Sequence, residues 1–178
     1  MPLVHLLLPM LMLTFCSQTF ARPLWSIGTS MEARAQREVN PDFYEASAVG
    51  QLFAQASFGK WAGLLEVGQE SRDSSTGGMS IDSDTVMAGA WARYSLAPER
   101  KWRPIAGLGL GAYFDKVTST YGSSSVERSG QRMFGGAGVG LSRVLWKHML
   151  VEAEGRGSLI EDRKDPLFSV LLRVGVEI

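Results

Sequence analysis

Residues 168–178 read FSVLLRVGVEI, and their alternation decides the fold. Phe168, Val170, Leu172, Val174, Val176 and Ile178 are apolar; Ser169, Arg173, Gly175 and Glu177 stand between them, and only Leu171 breaks the order. Successive side chains of a β-strand point to opposite faces, so this stretch is a strand with one apolar face and one face carrying an arginine and a glutamate.

The same period of two recurs from Trp25 onward. Trp25, Ile27, Met31, Ala33 and Ala35 alternate with Ser26, Gly28, Ser30, Glu32 and Arg34. Tyr44, Ala48, Leu52, Ala56 and Phe58 oppose Glu45, Ser47, Gln51 and Gln55; after Gly59-Lys60 the order resumes with Trp61, Leu65 and Val67 against Glu66 and Glu70, a hairpin signature. Val86, Ala88, Ala90, Ala92 and Tyr94 oppose Met87, Trp91 and Arg93, and Leu108, Leu110, Ala112 and Phe114 oppose a run of glycines, Tyr113 and Asp115. Met133, Ala137, Val139 and Leu141 face away from Arg132 and Ser142, and Met149, Val151, Ala153 and Leu159 face away from Glu152, Glu154, Arg156 and Ser158. The total is about eight strands of roughly nine or more residues, the length of a tilted membrane-spanning strand. No segment after Arg22 keeps a helical period.

The polar face decides what surrounds the strands. It gathers Glu32, Arg34, Gln51, Gln55, Glu66, Arg93, Glu152, Glu154, Arg156 and Arg173, while the opposite face is Leu, Val, Ala, Met and aromatic. Turned to water, that face would expose more apolar area than soluble monomers tolerate; turned to lipid it is at home, and closure into a barrel pairs the backbone. The polar face then lines a narrow lumen where Arg–carboxylate pairing is expected, with Trp91, Tyr113 and Phe134 as further plugs, and no general diffusion pore is expected.

Loop composition orients the array. SFGKW, LAPERKW and VLWKHM are short reversals on one side, read as periplasmic; QREVNPD, RDSSTGGMSIDSD, VTSTYGSSSVERSG and EDRKDP are longer polar loops on the other, read as external, and the Ser-, Gly- and Thr-rich loops around Asp73 to Asp84 and Thr118 to Gln131 are read as mobile. Trp25, Phe58, Trp61, Tyr94, Trp102 and Trp146 fall at the periplasmic ends, an aromatic belt suited to a headgroup interface. Phe43, Tyr44, Phe114, Tyr121 and Phe168 are assigned to the opposite rim.

Composition narrows the function classes. The chain has 178 residues, room for one domain with a sizeable interior, and 18 Lys+Arg against 18 Asp+Glu leave no basic field for nucleic acid. The apolar stretch LVHLLLPMLMLTF ahead of SQTFA reads as a secretory signal, so residues 1–21 are assigned to a cleaved signal peptide and residues 22–178 to an outer-membrane β-barrel domain. Cys16, the single cysteine, falls inside the signal; a lipoprotein reading in which it becomes the acylated first residue is a minor alternative.

Residues 23–178 resemble the small eight-stranded outer-membrane barrels, the family that includes the OmpA transmembrane domain, OmpX and OmpW. Strand number, loop asymmetry, the tryptophan belt and the closing RVGVEI carry the resemblance, although Ile178 stands where that family ends on an aromatic. The resemblance implies an all-β, eight-stranded antiparallel up-and-down transmembrane barrel. It also implies outer-membrane lipid and the outer-membrane assembly machinery as partners. No peptidoglycan-binding domain is expected after Ile178.

Catalytic and binding signatures are sparse. His5 lies in the signal and His148 at a periplasmic turn, whereas the lipid-modifying barrels that share this architecture use a Ser-His pair near the outer rim. Glu152 and Glu154 share a face, yet Arg156 beside them favours a structural network. Asp82 and Asp84 lack a further ligand set for Ca²⁺, and GLGLGA at Gly107–Ala112 matches a dinucleotide fingerprint without the helix that motif must open. No catalytic residue, metal or cofactor is assigned. The expected function is a non-enzymatic envelope protein with a structural role or an extracellular partner met through residues 73–84 and 118–131. A conduit or binder for a small apolar ligand, as in OmpW-like barrels, is the alternative, and a lipid-modifying enzyme comes third.

Overall fold

The computed structural model describes residues 23–37, 44–76, 78–163 and 165–178. The segment read as a signal, with Cys16 and His5, lies outside the described residues, as does Phe43. Among the described residues the chain forms β1 (Leu24–Arg37), β2 (Tyr44–Phe58), β3 (Trp61–Thr76), β4 (Met79–Ser95), β5 (Arg103–Tyr121), β6 (Ser124–Leu145), β7 (Met149–Ile160) and β8 (Leu167–Glu177). Each strand pairs antiparallel with its sequence neighbour, and β8 returns to β1 over Ser26↔Glu177 to Ala35↔Phe168, closing the barrel.

The alternation sorts side chains as lipid requires. Leu110 is 62% exposed and Leu172 59%, while Glu66 is 1% and Arg173 0% exposed. Outward Leu, Val and Met with inward Glu and Arg is the reverse of a soluble ligand-binding barrel, and such an apolar belt is stable only against hydrocarbon. Leu171, the residue out of pattern in the closing strand, is inward and fully buried, so its parity places it correctly and only its chemistry departs from the polar set.

Two of the stretches read as external loops, RDSSTGGMSIDSD and VTSTYGSSSVERSG, are strand instead, while Glu161-Asp162 is turn as expected. β3 and β4 stay paired up to Thr76↔Met79, β4 and β5 up to Met79↔Tyr121, and β5 and β6 up to Tyr121↔Ser124. Asp73 faces Asp82 and Thr118 faces Glu127 across ladders, and β5 reverses into β6 through Gly122-Ser123, with Gly122 at φ 59°. β3 parts from β2 above Gly50↔Gln69, and β6 parts from β7 above Phe134↔Ile160. β3 to β6 therefore continue beyond the barrel as a four-stranded sheet. Ser and Thr suit an exposed strand as well as a loop, and the alternation of Ile81, Val117 and Val126 with charged neighbours keeps the period of two. Tyr121 consequently sits at the tip of this sheet rather than at a membrane rim, whereas Phe114 and Phe168 point outward at the top of the apolar belt.

A charge on the belt should be costly only where lipid touches it. Leu110→Arg, at the middle of the outward row of β5, is expected to lose about 2–4 kcal/mol in unfolding from bilayers. Thr120→Arg, on the same face of the same strand but in the projecting sheet, should change stability little.

Candidate functional site

The lumen brings together the polar residues singled out from the sequence. Glu66 on β3 faces Arg156 on β7 and Arg173 on β8, across the full width of an eight-stranded ring. Arg156 engages both Glu66 oxygens, with Nη2–H donating to Oε2 at 3.0 Å; Arg173 Nη2–H donates to the same oxygen at 3.1 Å, and Trp91 Nε1–H donates to Oε1 at 2.7 Å. Glu154 accepts from Arg156 Nε–H at 2.8 Å and from Arg173 Nη1–H at 2.6 Å. Arg93 reaches Glu152 at 2.9 Å and Glu154 at 3.4 Å, and also donates to Gln55. Glu66, Glu152 and Glu154 thus balance Arg93, Arg156 and Arg173 in one connected cluster.

A second group lies nearer the projecting sheet. Arg34 pairs with Glu32 at 2.9 Å and with Glu70 at 3.3 Å. Gln51 donates to Glu32 and accepts from Ser30 Oγ at 3.1 Å. Glu70 and Ser30 are not among the ten lumen residues singled out from the sequence, although the alternation of β3 and β1 had already set both on the polar face.

Between the polar groups sits an apolar layer. Phe53, Leu64, Met87, Trp91, Tyr113, Phe134 and Leu150 form a buried cluster. The Trp91 and Phe134 rings meet tilted at 39° with centroids 6.4 Å apart, and the Arg156 guanidinium lies 3.7 Å from the Trp91 ring centre, where a cation gains from the ring's negative face. The glycines of the former nucleotide-like motif make room for these rings: a Cβ at Gly109 would overlap the Trp91 indole. Close approach, not a turn or a phosphate, explains that glycine.

Two cavities flank this plug. One of about 400 Å³ opens toward the projecting sheet, lined by Arg34, Glu70, Arg72, Tyr113, Asp115 and Arg132 among others; the other, about 200 Å³, opens at the terminal rim between Gln55, Arg93, Leu150 and Glu152. Glu66, Trp91, Glu154, Arg156 and Arg173 line neither, because they form the partition between them. In the larger cavity Arg132 grips Asp115 through Nε at 2.8 Å and Nη2 at 2.7 Å. Burial, with the like charge of Arg132 nearby, pushes the Arg163 guanidinium below its ordinary pKa.

Trp25, Phe58, Trp61, Tyr94, Trp102 and Trp146 ring the rim shared by the start of β1 and the end of β8. Trp61 and Tyr94 meet edge to face at 4.8 Å, and the Arg143 guanidinium stacks 5.0 Å over Trp102. His148 lies in the turn at the same rim, its carbonyl accepting from the Glu177 amide at 2.7 Å. Asp82 and Asp84 do not converge on an empty point: Asp84 accepts from Ser71 Oγ at 2.6 Å and Asp82 from Ser80 Oγ at 3.3 Å.

Removing one member of the cross-barrel cluster leaves buried charge without its counter-ion. Glu66→Gln is expected to lower unfolding stability by about 3–5 kcal/mol and to raise SDS sensitivity at room temperature. Gly109→Ala should also destabilise, whereas Gly63→Ala, with open space around its added methyl group, should not. Urea titration of the refolded barrel followed by tryptophan fluorescence reads all three.

No family model and no curated protein matches this chain. Solved structures do. The chain is similar to Ail, the attachment invasion locus protein of Yersinia pestis, at 17% identity and TM-score 0.61, covering 88% of this chain and 97% of that one. Neisserial surface protein A is similar at 15% identity and TM-score 0.61, over 87% and 96% of the two chains. A major outer membrane protein of Thermus thermophilus is similar at 13% identity and TM-score 0.61, over 86% and 99%. At these identities the likeness is one of architecture, and the architecture of this chain is the closed eight-stranded transmembrane barrel that these outer-membrane proteins share.

Proposed function

We propose that this chain is a non-enzymatic outer-membrane protein that holds the β3–β6 sheet beyond the bilayer as a surface for contact with other molecules. The partition of the lumen carries this reading. Charged pairs bridging β3 to β7 and β8 stand between the two cavities, which supports an anchor rather than a conduit. A small apolar ligand is the weaker alternative, because the larger cavity presents ion-paired Arg34, Glu70, Asp115 and Arg132. An envelope location is supported by the lipid-facing belt and by likeness in fold to proteins described as outer-membrane or surface proteins. The assembly machinery that inserts such barrels is a partner on the same reading.

Orientation and closure are both measurable. An epitope inserted between Gly122 and Ser123 should be labelled by antibody on intact cells, while one in the turn at Ala97-Pro98 should need permeabilised cells. Reconstituted protein should give no unitary conductance steps in planar bilayers. Labelling only after permeabilisation, or steady ion conduction, would overturn the proposal.

A further inference from the structure

The larger cavity holds more hydrogen-bond donors than its own acceptors take up. Arg34 on β1, Arg72 on β3, Arg132 on β6 and Arg163 just after β7 all line it, against the carboxylates of Glu70 and Asp115. Both carboxylates are already engaged at each oxygen. Asp115 accepts from Thr85 Oγ1–H at Oδ1 and from Arg132 Nε–H at Oδ2, both at 2.8 Å, while Glu70 accepts from Arg72 at one oxygen and from Arg34 at the other. Even with Glu32, which holds Arg34 at 2.9 Å from farther down β1, four guanidiniums meet three carboxylates. A guanidinium donates from three nitrogens and accepts nothing, so pairing with one carboxylate leaves N–H groups over.

Tyr113 is the second mark of a site. It lines the same cavity at 4% exposure, and among the described residues its hydroxyl has no hydrogen-bond partner, whereas buried hydroxyls are ordinarily paired. The Arg34 and Arg132 guanidiniums lie 5.3 and 5.9 Å from the centre of its ring, so two cations meet at one phenol. The like charge of Arg132 beside the buried Arg163, which lowers the basicity of that side chain, reflects the same surplus of positive charge. An apolar guest would leave these donors without acceptors, and a cation would meet like charge. A carboxylate presents both oxygens at one edge. The donors here come from β1, β3, β5, β6 and the segment after β7, on several sides of the space, and a tetrahedral oxyanion directs its acceptors in that way.

We propose that this cavity binds the phosphate group of a small soluble molecule, with Arg132, Arg163 and Tyr113 donating to it and Arg34 and Arg72 adding to the positive field. A phosphomonoester offers acceptors only, carries about two negative charges near neutral pH, and forms charge-assisted bonds with arginine. At about 400 Å³ the space is of the size of small-molecule sites, and it leaves room for an organic body against Val117, Ile160 and Leu167, the apolar part of the lining. The site lies in the lumen and not on the lipid face, which selects a soluble phosphate over a membrane headgroup. It is independent of the surface-contact reading, because it requires the barrel and no particular orientation in a cell.

The test uses the full chain refolded in maltoside micelles, which carry no phosphate. Glycerol 3-phosphate is titrated into it calorimetrically at an ionic strength held constant with sodium chloride, with glycerol as the uncharged control. The phosphate ester is expected to bind and glycerol is not. Tyr113→Phe removes a hydroxyl that no protein group uses, so it should weaken binding about tenfold and leave the urea midpoint in phosphate-free buffer unchanged. Arg163→Gln should weaken binding by a similar factor with heat-modifiable migration intact. Arg143→Gln, at the opposite rim, should bind as the unaltered chain does. No heat with glycerol 3-phosphate, full affinity in Tyr113→Phe, an equal loss in Arg143→Gln, or binding only to phosphatidic acid placed in nanodiscs would each overturn the proposal. An unlabelled Gly122 epitope on intact cells would defeat the surface reading alone, because binding in micelles does not depend on cellular orientation.

Discussion

The structure depends on the ladder between β1 and β8. In hydrocarbon no water is present to satisfy an amide or a carbonyl, so a sheet can cross a bilayer only by having no edge there. The pairing of Ser26 through Ala35 with Glu177 through Phe168 removes the last edge, and it is the closing strand of the chain that does it. Every lipid-facing side chain owes its place to this closure, because the period of two fixes an inside and an outside only once the ring is complete.

Closure has a second consequence inside. Eight strands leave a lumen that side chains fill, and alternation puts arginines and glutamates there, far from water. Such charges are tolerable in opposite pairs with their hydrogen bonds met, and the connected set of Glu66, Glu152 and Glu154 with Arg93, Arg156 and Arg173 meets that condition. Because Glu66 reaches across to β7 and β8, the pairs also tie opposite walls together. The same contacts that make the charged lumen stable also fill its cross-section, which supports the anchoring role proposed above.

Parity made most of this legible in the sequence. The strands, their inward charges and the tryptophans at one rim all follow from counting by two. The apolar half of the plug was less visible: Phe53, Leu64, Met87, Leu150 and Leu171 are chemically like the lipid-facing set, and only their position in the count assigns them inward. The projecting strands were hidden for the opposite reason. Ser, Thr, Gly and Asp between 72 and 84 and between 117 and 130 have loop composition, and composition outweighed the fainter alternation of Ile81, Val117 and Val126. Pairing partners such as Glu66 with Arg156, ninety residues apart, depend on barrel geometry that no local pattern contains.

Beyond the bilayer the rule against edges lapses, since water can serve the unpaired groups, and β3 and β6 part from their neighbours there. Glu161 marks the change on the β6 side. At Met133 a carboxylate takes the place of a backbone carbonyl, which ends the ladder without leaving an orphan amide where the barrel stops. Above that point the sheet keeps a polar outer face and an inner face with exposed Met79, Ile81, Tyr121 and Val126. Among the described residues no strand covers either edge of this sheet, so its open backbone groups rely on water and its order on its continuity with the closed barrel.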